Sequence, residues 1–329
     1  RHVMDRHPML RTIHDLSGAR PLQLVLKQKA PEFNVVDVRH LHEAAIQAAL
    51  EQWQQQESSR PLEVSSSLWR LAIHVVNERS FIFGMFVHHA LWDGWSLESF
   101  ATELYATYGL LKKEGRVTQR RRPPSYNRFI ALEQSAVSSE EHRKYWRRKL
   151  EGATVPWWTG REKSASTYLA CDVSQPTIDR LAELARTLGV QEKSVWCSVY
   201  LVLLSLLSGT REALGTVITQ GRPEIPDGDK IIGVFLNALP TRVQVSGRRW
   251  ADLITATDRE LREQHAVRNY PLTEVQNLTG LDFSAAMFGY VNFHVYYEGI
   301  DREGTREEWI PNKVAGWNDT NYLLNFIVH

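Results

Sequence analysis

A predicted β-hairpin followed by a polar loop constrains the fold more than any other part of this sequence. Residues 68–76 and 81–87 are rich in isoleucine, valine and phenylalanine, and a polar turn at 77–80 separates them. This pattern predicts two paired strands. A loop occupies residues 88–95, and apolar residues then recur at helical spacing. We expect Ser96 to cap this helix, with Glu98 in the first turn.

Predicted strands and helices alternate through the rest of the chain. An amphipathic helix is predicted at 140–150, and the later elements are helices at 175–188, 193–207 and 250–267 and strands at 169–173, 214–219, 234–245, 286–297 and 322–328. Alternation of this kind indicates an α/β fold built from layers. The pattern is interrupted at 152–166, which predicts an N-terminal lobe over residues 1–160 and a C-terminal lobe over 161–329.

Composition argues against several classes of partner. The 329 residues are 43% hydrophobic and carry a formal net charge of +1, so no overall field attracts nucleic acid or a membrane surface. The most apolar stretch, 195–207, is too short to span a bilayer and predicts a buried helix. Two cysteines, Cys171 and Cys197, form no disulfide framework by themselves, and Cys197 is predicted to be a buried free thiol. This use of cysteine fits a reducing, cytoplasmic setting. Because the chain opens at Arg1 and stops inside a strand-like run, we expect both ends to be truncated.

The loop at 88–95 carries the residues best suited to chemistry. His88 and His89 stand in tandem, and Asp93 and Gly94 follow. Because successive strand residues point to opposite faces, we expect one histidine to face a cleft and the other to pack inward. An imidazole takes or shares a proton near pH 7. A buried Asp93 carboxylate needs a cation or several hydrogen-bond donors, and Arg222 is its predicted partner. Gly94 has no side chain, so the backbone at this position can approach another group closely.

Other interpretations start from the same residues. In a purely structural one, the histidines are satisfied by their neighbours and Asp93 caps the helix. A zinc site has little support, because no second cluster of histidine or cysteine accompanies the loop, and we predict no metal. A serine hydrolase has no support, because the sequence contains no G-x-S-x-G motif.

The sequence resembles the condensation domains of nonribosomal peptide synthetases. Its segment HHALWDGWS, residues 88–96, is similar to their HHxxxDG motif, and RHPMLRT, residues 6–12, resembles their RHExLRT motif with Pro8 in place of Glu. Further stretches resemble family motifs in the family's order, namely 145–153, 221–222, 232–237 with Pro240 and Arg242, and 269–272. The resemblance covers nearly the whole chain, although a first motif expected before Arg1 and a last one expected after His329 are absent.

This resemblance implies a fold and a reaction. The fold is a pair of chloramphenicol-acetyltransferase-like lobes in a V-shaped pseudodimer with a tunnel at their junction. The reaction joins a donor acyl thioester to an acceptor aminoacyl thioester through an amide bond, so the domain is an acyltransferase. Both substrates are carried on the 4'-phosphopantetheine of donor and acceptor carrier domains, and the domain itself binds no cofactor. An adjacent adenylation domain is the other implied partner.

The resemblance also implies a role for each residue of the motif. His89 hydrogen-bonds the acceptor amine or takes its proton, while His88 supports the loop. Asp93 organises the loop through the ion pair predicted above, and Gly94 places its backbone beside the amine. The resemblance implies supporting roles for three residues elsewhere in the chain. Arg6 and Arg11 would brace the loop or pair with carboxylates, and Asn237 would shape the tunnel or cap a strand end.

Other proteins share the loop motif and remain alternatives. A stand-alone acyltransferase that uses coenzyme A has the same HxxxDG core, but the other family motifs argue against it. A catalytically silent domain that recruits carriers or partner proteins usually lacks motif residues, whereas His89, Asp93 and Gly94 are present. The order of Trp95 and Ser96 disfavours an epimerisation domain, and the intact histidine pair disfavours a heterocyclisation domain.

Overall fold

The computed structural model describes residues 1–117, 121–160, 167, 169–291 and 322–329. Within these residues the chain forms two compact units. The first unit holds Arg1–Arg128 and Glu224–Phe235, and the second holds the described residues of 129–223, 236–291 and 322–329. The lobe boundary predicted after residue 160 stays a prediction, because units defined by packing need not follow the two lobes.

A three-stranded sheet forms the frame of the first unit. Its strands lie in the order β3 (Glu32–Asp37), β4 (Trp69–Val75) and β5 (Phe81–Val87). Strands β4 and β5 are the predicted antiparallel hairpin, which is confirmed, and β3 runs parallel to β4. Two shorter strands, β1 (Thr12–Asp15) and β2 (Leu22–Val25), form a separate antiparallel pair.

The described residues of this unit also form a 3₁₀ turn at Pro8–Arg11 and the helices α1 (His2–Arg6), α2 (Glu43–Ser59) and α3 (Gly94–Glu114). Helix α2 lies against one face of the sheet, where Arg70 of β4 donates a hydrogen bond to Glu57 at 2.6 Å. Gly84 of β5 makes this approach possible, because a Cβ at that position would lie 2.5 Å from the Trp53 ring. The buried core of the unit comprises Val3, Met4, Met9, Leu10, Leu68, Trp69, Leu91, Trp92, Phe100 and Ile232.

A four-stranded sheet with helices packed against it makes up the second unit. The strands lie in the order β7 (Leu236–Gln244), β6 (Glu212–Gln220), β8 (Ala286–Tyr290) and β9 (Leu324–Val328). β6 and β7 are antiparallel, whereas β8 is parallel to both β6 and β9. The helices of this part of the chain are α4 (Asn127–Ser138), α5 (Glu140–Leu150), α6 (Gln175–Leu188), α7 (Glu192–Ser208), α8 (Trp250–His265) and α9 (Leu272–Thr279).

Helix α7 packs against β6 in the core of the second unit. Tyr200, Leu201 and Leu204 are fully buried there, and Gly215 of β6 makes room for the Tyr200 ring. Cys197 on the same helix is a buried free cysteine, as predicted. Burial in this apolar setting raises the pKa of the Cys197 thiol to about 12.

The structure confirms the α/β class and most of the predicted elements, with three corrections. Residues 169–173 form no strand: Leu169 is 90% exposed, and none of the described strands pairs with this segment to supply the ladder that an extended segment needs. The strand predicted at 286–297 ends at Tyr290, and residues 292–297 lie outside the described residues. The strand predicted from residue 322 begins at Leu324.

Within the part of the chain that the structure describes, no single helix is long and apolar enough to cross a membrane. Helices α6 and α7 reach the necessary length and composition only as a pair, and the chain bends by 105° between them. The apolar side of α7 is occupied by the core of the second unit.

Candidate active site

The loop between β5 and α3 is anchored by its apolar residues and presents its histidines to solvent. Leu91 and Trp92 are buried in the core of the first unit, with the Trp92 and Phe100 rings 4.9 Å apart. The backbone N–H of His88 donates to Leu68 at 2.8 Å, and that of Leu91 donates back to the His88 carbonyl at 2.9 Å. The core therefore fixes the loop from beneath while its tip remains accessible.

Both histidines are exposed, so the expectation that one would pack inward is wrong. The strand ends at Val87, and the alternation of strand faces does not extend into the turn that follows. His88 accepts a hydrogen bond from the Ala90 N–H at its Nδ1, at 3.1 Å. A neutral His88 therefore carries its proton on Nε2. Within the described chain the His89 ring makes no hydrogen bond, which leaves both its nitrogens open to an external partner.

Asp93 joins the loop to the segment around Gly233 and Phe235 of the first unit. Its carboxylate is 1% exposed and accepts hydrogen bonds from the Ser96 N–H at 2.8 Å and from the Phe235 N–H at 3.1 Å. Its own N–H donates to the Gly233 carbonyl at 3.1 Å. Asp93 thus caps α3, whose positive dipole end also stabilises a carboxylate.

The helix cap predicted at Ser96 is consequently wrong, and Glu98 lies beyond the first turn, since α3 begins at Gly94. The Ser96 hydroxyl has a different function. It donates to the Gly233 carbonyl at 2.7 Å and accepts from the Gly233 N–H at 3.1 Å. These bonds join the start of α3 to a segment more than 130 residues later in the chain.

Further contacts hold the segment 229–235 against the end of the loop and against Tyr126. The Trp95 indole donates to the Asp229 carbonyl at 3.1 Å, and the Tyr126 hydroxyl donates to the Val234 carbonyl at 2.6 Å. Gly233 is required here, because any Cβ would overlap the Tyr126 ring. The family-like stretch at 232–237 marked this segment in the sequence, but its contact with the loop was not predictable from local pattern.

The predicted supporting residues Arg6 and Arg11 lie in the first unit, in α1 and in the 3₁₀ turn that follows it. Arg6 is 8% exposed and its Nη1 lies 3.2 Å from Glu103 of α3, while His7 shares the same carboxylate at 2.8 Å. Arg6 and Glu103 line a pocket of about 310 Å³. Arg11 donates to the backbone carbonyls of Met4 at 3.1 Å and Lys27 at 3.3 Å. The two arginines therefore hold α1, α3 and the strand pair together.

Arg222 and Asn237 belong to the second unit. Arg222 is buried, and its ion pair with Asp93 stays a prediction. The Asn237 amide donates to the carbonyls of Arg268 at 2.9 Å and Tyr270 at 2.8 Å, and it accepts from the Leu272 N–H at 3.2 Å. Asn237 thus ties the start of β7 to the segment that leads into α9, which is the strand-end role that the sequence left open.

One neighbour of the loop was not expected from the sequence. His14 lies on β1, and its pKa is lowered by burial and, to a smaller extent, by the charge of His88 nearby. Its Nδ1 is buried and has no hydrogen-bond partner among the described residues. His14 follows the RHPMLRT stretch by only two positions, and nothing in its local pattern distinguishes it from any other strand residue.

The sequence of this chain is similar to those of known proteins. A family model described as the condensation domain matches residues 1–313. AMB antimetabolite synthetase AmbE of Pseudomonas aeruginosa is 30% identical over 338 residues, which cover 99% of this chain. The chain spans 16% of that relative's own length.

Solved structures share the fold at lower identity. A four-domain nonribosomal peptide synthetase, holo-AB3403 bound to AMP and glycine, superposes with a TM-score of 0.76 at 18% identity, covering 95% of this chain and 24% of that one. The first condensation domain of the calcium-dependent antibiotic synthetase gives a TM-score of 0.72 at 19% identity, covering 88% of this chain and 70% of that one. These likenesses confirm the fold expected from the sequence, while the tunnel stays a prediction.

Proposed function

Because the chain belongs to the condensation-domain family, we propose that it joins a donor acyl thioester to an acceptor aminoacyl thioester in nonribosomal peptide biosynthesis. The amine nitrogen attacks the thioester carbonyl, the C–N bond forms, and the C–S bond breaks. The proton lost by the amine balances the proton gained by the released thiol. The products are an amide on the acceptor and a free pantetheine thiol on the donor.

The observation that supports this proposal most directly is the presentation of His89. Its ring is exposed at the tip of a loop whose base is buried, and no described residue of the protein occupies its nitrogens. An α-amino group has a pKa of about 8, so part of it is already neutral near pH 7. His89 would then act by orienting the amine and accepting its proton as the bond forms, an effect of about 10²–10⁴-fold.

The remaining loop residues would keep His89 in position. The Asp93 carboxylate holds the loop against the Phe235 and Ser96 amides, and His88 closes the turn through the Ala90 N–H. Gly94, the first residue of α3, would place its backbone beside the amine. A geometry fixed in advance reduces the entropy that is lost when the two substrates are brought into reacting position, a contribution of up to about 7–11 kcal/mol in ideal cases.

The partners follow from the same proposal. Donor and acceptor carrier domains would deliver both substrates on 4'-phosphopantetheine, and an adenylation domain of the same synthetase would load the carriers. The domain itself would need no cofactor, and the reaction would take place in the cytoplasm.

The experiment loads a donor and an acceptor carrier with aminoacyl-pantetheine, adds the chain, and follows both carriers by intact-protein mass spectrometry. We expect the acceptor to gain the donor's acyl mass, and His89→Ala to slow this gain about a hundredfold. His40→Ala, which removes another exposed histidine of the first unit, is the matched control and should leave the rate unchanged. Transfer from acyl-coenzyme A alone would support the stand-alone acyltransferase instead. Carrier binding without transfer, unaffected by His89→Ala, would support a recruitment domain.

A further inference from the structure

An open groove in the second unit lies apart from the motif residues. It runs between the C-terminal half of α5 and the end of α9 and has a volume of about 610 Å³. This is comparable to the clefts that hold ligands in other proteins, but the groove is shallow and open to solvent. Its shape therefore suits a segment of another protein better than an enclosed small molecule.

One wall of the groove is basic. Lys144, Arg147 and Arg148 line it, and all three are exposed. Their spacing of three and four residues places them on one side of α5. No ion pair joins any of the three to another described residue, in contrast to Arg143 and Lys149 of the same helix, which pair with Glu140 and Glu260. Glu140 lies close enough to Lys144 and Arg147 that their charges lower the pKa of its carboxyl, but its own ion pair is with Arg143, so the wall keeps an excess of positive charge.

The floor of the groove is apolar. Leu150 and Ala153 form one side and Leu278 and Leu281 the other. All four belong to one hydrophobic cluster of the second unit or pack against it, so the floor is backed by core rather than by mobile side chains. Gly152, with φ +64°, gives the left-handed turn that carries the chain back past the end of α5.

We propose that this groove is a docking surface for an amphipathic helix of a partner protein, one that has aspartate or glutamate beside a row of leucine-type side chains. Acidic side chains would pair with the basic wall, whose three cations form no ion pair with a described residue, and the apolar row would lie on the leucine floor. This is the helix-in-groove mode of recognition. Among the described residues that line the groove, Glu151 is the one carboxylate beside three cations, so the wall favours an anionic partner. The inference does not depend on the proposed condensation activity.

Nucleic acid fits these features less well. Three cations beside an apolar floor neutralise few phosphates and leave the leucines without a counterpart, whereas nucleic-acid sites follow the backbone with many cations. The formal net charge of +1 also provides no wider basic surface.

The test uses a fluorescein-labelled helical peptide of about 18 residues, long enough to form a helix, with glutamate along one side and leucine along the next. Fluorescence polarisation measures its binding to the whole chain. We expect the triple variant K144E/R147E/R148E to weaken binding about tenfold or more and to flatten its dependence on salt, because rim charges act through screened attraction. The matched control R180E/R186E/R248E makes the same change of charge at exposed arginines outside the groove and should bind as the unmodified chain does.

Three outcomes would overturn the proposal. The first is equal binding of a peptide in which every glutamate is replaced by lysine. The second is an equal loss of binding in the control triple variant, which would make the attraction one of overall charge. The third is tighter binding of a 20-base-pair DNA duplex than of the acidic peptide, which would assign the basic wall to nucleic acid. Far-ultraviolet circular dichroism confirms that each triple variant is folded, and carrier transfer measured in parallel separates failure here from failure of the proposed function.

Discussion

Substitution of Asp93 by alanine tests whether this residue anchors the loop as the contacts indicate. The substitution removes the acceptor of the Ser96 N–H, which caps α3, and the acceptor of the Phe235 N–H, which joins the loop to the later segment. Both contacts are buried, since Asp93 is 1% exposed. No water reaches these amides readily to replace the lost carboxylate.

The expected loss follows from these two contacts. Replacing a helix cap by alanine costs about 0.5–2 kcal/mol, and leaving a buried N–H without its acceptor costs about 1–3 kcal/mol. We therefore expect Asp93→Ala to lower the free energy of unfolding by about 2–4 kcal/mol. Asp93→Asn retains one side-chain oxygen and can satisfy only one of the two amides, so we expect about 1–3 kcal/mol.

Urea unfolding followed by tryptophan fluorescence measures this loss, because Trp92 lies next to the substituted residue in the core. Asp5→Ala is the control: Asp5 is exposed, and among the described residues its one ion pair is with Arg1 at 3.9 Å, so we expect a change within about 0.5 kcal/mol. If Asp93→Ala unfolds within that same margin of the unmodified chain, the anchoring role is refuted, and any loss of activity must come from contact with the substrates.

Three further predictions concern residues outside the loop. Burial lowers the pKa of His74 below its usual 6.5, so the neutral ring favours the folded state above pH 6.5, and this contribution is lost as pH falls through the folded-state pKa. His74→Leu should therefore flatten the acid side of the curve of unfolding free energy against pH, and an unchanged slope would contradict this. Gly84→Val should destabilise the first unit by about 1–3 kcal/mol because of its clash with Trp53, as measured by urea unfolding, and a stability equal to that of the unmodified chain would show that α2 shifts freely. Cys171 is exposed, whereas Cys197 is buried and its pKa is raised, so a thiol reagent should modify one cysteine in the native chain and both in denaturant. If both cysteines react fast in the native state, the core of the second unit opens and this prediction is wrong.

Several features of this protein follow from local sequence alone. The β4–β5 hairpin and helix α6 have the bounds, within a residue, that their residue patterns predict. The reason is that apolar periodicity and turn residues act over a few positions, and these segments need no distant partner to select between strand and helix. The loop motif was recognisable for the same reason, since its residues are contiguous.

Contacts distant in sequence decided the rest. Asp93 and Ser96 are both good helix caps, and the sequence favoured the wrong one, because the choice depends on where the Gly233 and Phe235 backbone groups lie. The exposure of both histidines likewise depends on where β5 stops. Residues 169–173 have strand-like composition, but no strand of the described chain pairs with them. A strand needs a ladder partner, a cap needs the amides it satisfies and a buried carboxylate needs its donors, and only the folded chain brings these groups together.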